Sequence, residues 1–240
     1  MTYQSIRLSK YFRVVIFSLF IWTEVSANHD LVIVIDPGHG GMDSGIKSEQ
    51  AYEKHITLDI GLQIQELLRN QYIVQLTRNQ DIYLDPMERI GLANHLNADL
   101  FISIHLSSCF HHNKNGISTF YWDSNHDSSS LIHESSKINN HELIVWDRIQ
   151  GNHVSESKLA AQIIHQTIIQ KTGMSDGKVK PAPLFLLAGA DMPAILVEVD
   201  ILTDQSETES LILKTNQKKI VQGLCEGIER FFQKKMKTVY

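Results

Sequence analysis

The sequence predicts a three-layer α/β domain, and three observations predict it. Short apolar runs at 31–35, 100–104 and 194–197 have the length and composition of buried strands. Segments with helical spacing alternate with them, the pattern of a mostly parallel sheet flanked by helices. Each of the three runs also ends in chemistry: Asp36-Pro37-Gly38-His39-Gly40-Gly41 after the first, His105 after the second, Glu198 after the third. Ligands of open parallel sheets bind beyond the carboxyl ends of the strands. Two histidines and a carboxylate delivered there are the raw material of a catalytic zinc site.

The elements follow in order. Residues 31–35 are β-branched or Leu throughout and stop at Asp-Pro-Gly, a buried strand closed by turn chemistry. In 53–70, Ile56, Ile60, Ile64, Leu67 and Leu68 share one helical face. Glu53 stands in its first turn, where a carboxylate suits the helix dipole. Residues 72–77 form a second strand, and Asp85-Pro86 opens a helix to about residue 96. Strands are expected at 99–105, 117–122, 184–187 and 194–199. A helix over 155–172 is ended by Gly173. The closing helix, 218–235, gathers Ile220, Leu224, Ile228, Phe231 and Phe232 on one side. Residues 123–154 are rich in Ser, Asn and His and have weak periodicity.

At 240 residues a single domain is expected, and 42% hydrophobic content supplies its core. The N-terminus stands apart. Arg7, Lys10 and Arg13 precede an apolar stretch at 14–22, and Val25-Ser26-Ala27 offers small residues for cleavage. That is the layout of a secretory signal peptide over 1–27, leaving 28–240 as the mature catalytic domain. The stretch is too short for a membrane span, which needs about 20 residues. Removal of Arg7, Lys10, Arg13 and Glu24 takes the formal net charge from −5 to −7. A chain so anionic has no electrostatic reason to hold nucleic acid, and it fits a secreted, periplasmic location. An oxidising compartment would permit a disulfide between Cys109 and Cys225, but spacing gives no distance, and two unpaired thiols are expected.

A catalytic zinc keeps three protein ligands and an open position for water. His39, Glu53 and His105 are the candidate ligands. Glu198 is the candidate general base and acid, because a carboxylate leaving a buried strand is costly without a partner or a task. Each histidine by itself is also compatible with an ordinary polar role, since the chain has 12 of them.

Taken together the motifs resemble the zinc-dependent N-acetylmuramoyl-L-alanine amidases of type 3, over about 31–232. Val34-Ile35-Asp36-Pro37-Gly38-His39-Gly40-Gly41 with Asp43 and Gly45 is similar to the family's opening motif. Glu53-Lys54, Leu76-Thr77-Arg78 with Asp81, Arg89, Ala93-Asn94, residues 99–105 and Met192-Pro193 through Glu198 are similar to the following ones. The resemblance implies a sheet of about six strands and one zinc ion held by His39, Glu53 and His105. It implies hydrolysis of the amide between N-acetylmuramic acid and L-alanine in peptidoglycan or muropeptides, with Glu198 as proton carrier. Wall remodelling and daughter-cell separation are the implied roles. The chain departs from the family at Leu106-Ser107 and at Asp200-Ile201 and Asp204, beside the metal and not in the ligands.

Some relatives cover the zinc with a helix until a partner protein moves it. Residues 123–154 could be such a regulatory insertion, with Glu134 or Glu142 as the autoinhibitory carboxylate, or a plain surface loop. Ser155-Glu156-Ser157-Lys158 and Lys171-Thr172-Gly173 match motifs of penicillin-sensitive serine D,D-carboxypeptidases, which would make Ser155 a nucleophile working with Lys158 and Lys171, although the two motifs bracket one helix and would lie at its opposite ends. A non-catalytic peptidoglycan-binding division factor is the third class. His111-His112 are expected to face solvent.

Overall fold

The computed structural model of the chain describes residues 30–47, 52–107, 116–123, 149–200 and 207–238. Its centre is a sheet of six strands: β1 (Val32–Pro37), β2 (Ile73–Leu76), β3 (Leu100–Ser107), β4 (Gly116–Trp122), β5 (Ser175–Ala182) and β6 (Ala194–Asp200). Their spatial order is β2-β1-β3-β6-β4-β5. All neighbours are parallel except β4 and β6, which are antiparallel. Among the described residues the helices are α1 (Glu53–Leu68), α2 (Pro86–His95), α3 (Val154–Thr172), α4 (Phe185–Ala188) and α5 (Glu207–Thr238). The α/β class holds, as does the mostly parallel sheet.

Alternation along the strands splits the core in two. Ile33, Ile35, Ile102, Ile104, Ile195 and Val197 point to the face covered by α1, α3 and α5. Val34, Phe101, Leu196, Phe120 and Trp122 point to the face covered by α2 and α4. The chain therefore crosses from β1 to β2 by α1 on one face and from β2 to β3 by α2 on the other. A sheet whose crossovers reverse in this way opens a crevice at the carboxyl ends of the strands flanking the reversal. Here those strands are β1 and β3, which deliver His39 and His105.

Local chemistry explains the boundaries. Asp85 caps α2 by accepting from the Glu88 amide, Glu88 reaches back to the Asp85 amide, and Pro86 occupies the first turn. Gly173, at φ 70°, ends α3 in the left-handed conformation. In α5, Gly223 and Gly227 lie against α3: a Cβ on either would come within 2.7 Å and 2.8 Å of the Ile168 and Ile164 Cα atoms. The two helices approach backbone to backbone at that seam.

Two expectations need correction. Residues 184–187 are not a strand; 185–188 form the helical turn α4, and the strand lies earlier, at Ser175–Ala182. A four-residue apolar run fits a buried helical turn as well as a strand. The true strand was hidden by Gly177, Lys178, Lys180 and Pro181, residues that suit the edge position β5 holds. The last helix begins at Glu207 rather than 218; its first turns were not marked in the sequence because residues before Ile220 lack a one-sided apolar repeat. The proposed signal segment 1–27, Cys109, His111, His112, Glu134, Glu142, Ile201 and Asp204 lie outside the described residues. Cys225 is a buried free thiol. No described helix is long and apolar enough to cross a membrane.

Candidate metal centre and active site

β1 ends at Pro37, and the next two residues turn the chain so that His39 faces β3. His39 adopts φ 61°, a left-handed conformation that costs a non-glycine residue on the order of 1 kcal/mol. Two buried arginines hold the turn. Arg78 donates to the carbonyls of Pro37 (2.9 Å), Gly38 (2.8 Å) and Lys54 (2.7 Å). Arg89 donates to the Pro37 carbonyl (2.9 Å), the His39 carbonyl (3.0 Å) and Asp36 Oδ1 (2.8 Å). Asp36, fully buried, also accepts from Thr77 (2.6 Å) and Ser103 (2.7 Å). Its charge is matched by Arg89, and both of its oxygens accept hydrogen bonds, as a buried carboxylate requires.

His39 Nε2, Glu53 Oε1 and His105 Nδ1 converge. Nε2 lies 3.0 Å from Oε1, Nδ1 lies 3.2 Å from Oε1, and the two nitrogens are 3.2 Å apart. A tetrahedral ion with bonds of about 2.0 Å spaces its ligands by about 3.3 Å, so this triangle has the dimensions of three corners of a zinc tetrahedron. Two imidazoles and a carboxylate are also the donor set of catalytic zinc sites. The residues present fit the ion. Among the described residues this is the one His/Cys/Asp/Glu group of three with such geometry.

The surrounding groups fix each donor. His39 Nδ1–H donates to Asp43 Oδ2 at 2.7 Å, which leaves the Nε2 lone pair aimed inward. Glu53 Oε1 accepts from the Leu106 amide (2.8 Å) and Oε2 from the Ile46 amide (2.9 Å). Burial alone would raise the Glu53 carboxyl; the His105 and His39 rings beside it and the hydrogen bonds from those two amides outweigh it and hold the group far below the carboxylate range. Burial would likewise lower His39, but Glu53 and Asp43 beside it raise it above 6.5. Two glycines make room. A Cβ on Gly38 would sit 2.5 Å from the His105 ring, and one on Gly45, at φ +62°, 2.4 Å from Glu53 Oε2.

Glu198 lies in β6, half-buried, in direct parallel register with His105. Paired residues of neighbouring strands project on the same face, so Glu198 stands beside His105. The structure thus brings all four sequence-predicted residues to one sheet edge. It does not bring the serine motif together. Ser155 and Lys158 are exposed in the first turn of α3, near the start of β6, where the Ala194 amide donates to Ser157. Lys171 is at the other end of that helix, about 24 Å away by helical rise, and pairs with Glu226 at 2.7 Å. Asp43, Asp36, Arg78 and Arg89 serve the centre without having been assigned a role from sequence. Only Asp36 carried a signal, a charge at a buried-type position, because it directly continues an apolar strand.

The fold and this cluster define an α/β domain with a His/Glu/His group that could hold a metal ion at its switch point. Residues 33–230 match the family described as N-acetylmuramoyl-L-alanine amidase, and the chain belongs to that family. It is 27% identical over 220 residues to the amidase AmiC of Escherichia coli O6:H1, covering 84% of this chain and 53% of AmiC. It is 27% identical to AmiA of Escherichia coli K12, covering 84% of this chain and 76% of AmiA. The chain therefore spans about half the length of the one relative and three quarters of the other. The catalytic domain of the amidase CwlV from Bacillus (Paenibacillus) polymyxa superposes with a TM-score of 0.65 at 27% identity, covering 85% of this chain and 98% of that domain.

Proposed function

We propose that this protein is a zinc-dependent N-acetylmuramoyl-L-alanine amidase that cuts the bond between the lactyl group of N-acetylmuramic acid and L-alanine of the stem peptide. The observation that carries the reading is the donor triangle of His39, Glu53 and His105 beside Glu198, in a member of this family. When bound there, zinc supplies a Lewis acid for the amide carbonyl and makes a water acidic near neutral pH. Glu198 takes the proton of the attacking water and delivers it to the departing alanine nitrogen. The C–N bond breaks, the lactyl carbonyl becomes a carboxylate, and the peptide leaves with a free amino terminus. Asp43 orients His39, and the arginine-braced turn keeps its ring in place.

The family also supports an exported enzyme that acts on the wall in remodelling or daughter-cell separation. Residues 1–27 would be its signal peptide and 28–240 its catalytic domain. Residues 123–154 would regulate access, under the control of an activator protein; deleting 130–150 would then raise turnover, and an unchanged or lower rate would remove that role.

The test is digestion of defined muropeptides followed by mass spectrometry, with and without chelator. The expected product is free stem peptide beginning at L-alanine, absent after chelation. Glu198→Ala should retain metal and lose turnover, and His105→Ala should lose both. Release of terminal D-alanine alone, or full activity in stripped protein, would overturn the reading.

A further inference from the structure

The row of side chains beyond Glu198 shows what receives the peptide half of the substrate. Glu198 is in register with Ser118 of β4. Two residues back along β6, Leu196 is in register with Phe120, and Phe120 with Lys180 of the edge strand β5. Residues in register share a face, as do residues two apart, so Lys180 stands on the face of His105 and Glu198. Its ammonium lies 5.8 Å from the centre of the Phe120 ring. Strand spacing of about 4.8 Å and a rise of about 3.3 Å per residue put its backbone about 12 Å from that of Glu198. Lys180 is exposed, and its ammonium makes no ion pair among the described residues. Lys178, on the same strand, is neutralised by Asp176 at 2.7 Å.

Direction follows from the chemistry. Glu198 must face the leaving nitrogen to protonate it, so the peptide continues from that nitrogen past β6, toward the β4 and β5 side of the sheet. A span of about 12 Å is three to four extended residues. Stem peptides are anionic there, with free carboxylates on the second residue and, in many walls, the third. An ammonium with no ion pair among the described residues, on the β5 side of an anionic molecule's catalytic edge, is a natural receptor for such a group. We infer that Lys180 is a specificity-determining residue that binds a free carboxylate of the stem peptide within about three residues of the cleaved bond, its alkyl chain steadied on Phe120. The inference rests on the amidase reading above.

The experiment compares wild type, Lys180→Met and Lys180→Arg on two muramoyl peptides that differ only in whether their stem carboxylates are free or amidated. Lys180→Met should raise KM for the free-carboxylate substrate about tenfold, the size expected for loss of one charge-assisted contact, with kcat within about twofold. It should leave KM for the amidated substrate unchanged, and Lys180→Arg should restore most of the loss. An unchanged KM, or an equal rise on both substrates, overturns the role of Lys180. If wild type cleaves neither substrate, the amidase reading fails and takes this one with it. Thermal unfolding of each variant separates loss of fold from loss of binding.

Discussion

At the scale of single residues, the donor triangle depends on groups that touch no metal. His39 can offer Nε2 only if Nδ1 keeps the proton, and Asp43 at 2.7 Å is what keeps it there. Asp43→Ala should therefore weaken zinc binding by about 10- to 100-fold, the usual cost of losing such a carboxylate, while the fold survives because Asp43 is largely exposed. Competition with a chromophoric chelator measures the affinity, and circular dichroism checks the fold. Wild-type affinity in the variant would mean that the His39 ring is oriented by packing alone. The two histidines of the triangle and Glu198 were conspicuous in the sequence because each follows an apolar run, whereas Glu53 opens a helix and stood out only through the family resemblance. The orienting residues were not, because Asp43 sits among glycines in a loop where an aspartate has many ordinary uses.

At the scale of elements, the seam between α3 and α5 decides how the face opposite α2 is packed. Gly223 and Gly227 are four residues apart, hence on one side of α5, and each lies against an isoleucine backbone in α3. Helix propensity favours alanine over glycine by about 1 kcal/mol per site. Overpacking of a tight backbone contact costs about 1–3 kcal/mol, and an added Cβ here would lie under 3.0 Å from a backbone atom that cannot swing away. The steric cost wins, so Gly223→Ala and Gly227→Ala should each lower the unfolding free energy from denaturant titration, by up to about 2 kcal/mol on balance. Stabilisation by either substitution would show that the helices can separate freely. Most elements could be read from sequence because their signals were local: the 3.6-residue repeat of α1, the capping residues of α2, Gly173 after α3. The glycine seam could not, since its cause is a neighbour about 60 positions away, and β5 could not, since an edge strand is written in lysine and proline rather than in apolar alternation.

At the scale of the whole molecule, Cys225 reports on the cohesion of the larger core. It is buried on α5 against the cluster that joins that helix to α1, α3 and the sheet. Burial, and secondarily the nearby Glu229, pushes its thiol up to about 12. A group whose pKa is raised by folding holds its proton more tightly in the native state, so its stabilising contribution is intact below the unfolded value and shrinks as pH climbs above it. For a thiol that window opens near pH 9 and closes near 12, and within it stability should fall by about 1.4 kcal/mol per pH unit from this group alone. Other residues titrate in the same range, so the comparison must be internal. In a Cys109→Ser background, urea unfolding at pH 8 and pH 10 should show a larger alkaline loss for the protein with Cys225 than for Cys225→Val, which keeps a similar volume in the core. Alkylation of Cys225 at pH 8 should likewise be slow in the native protein and rise with urea, because the reactive thiolate forms only when the core opens. Equal alkaline losses in the two proteins, or rapid alkylation without denaturant, would mean that solvent reaches α5 from behind and that the core does not open as one unit.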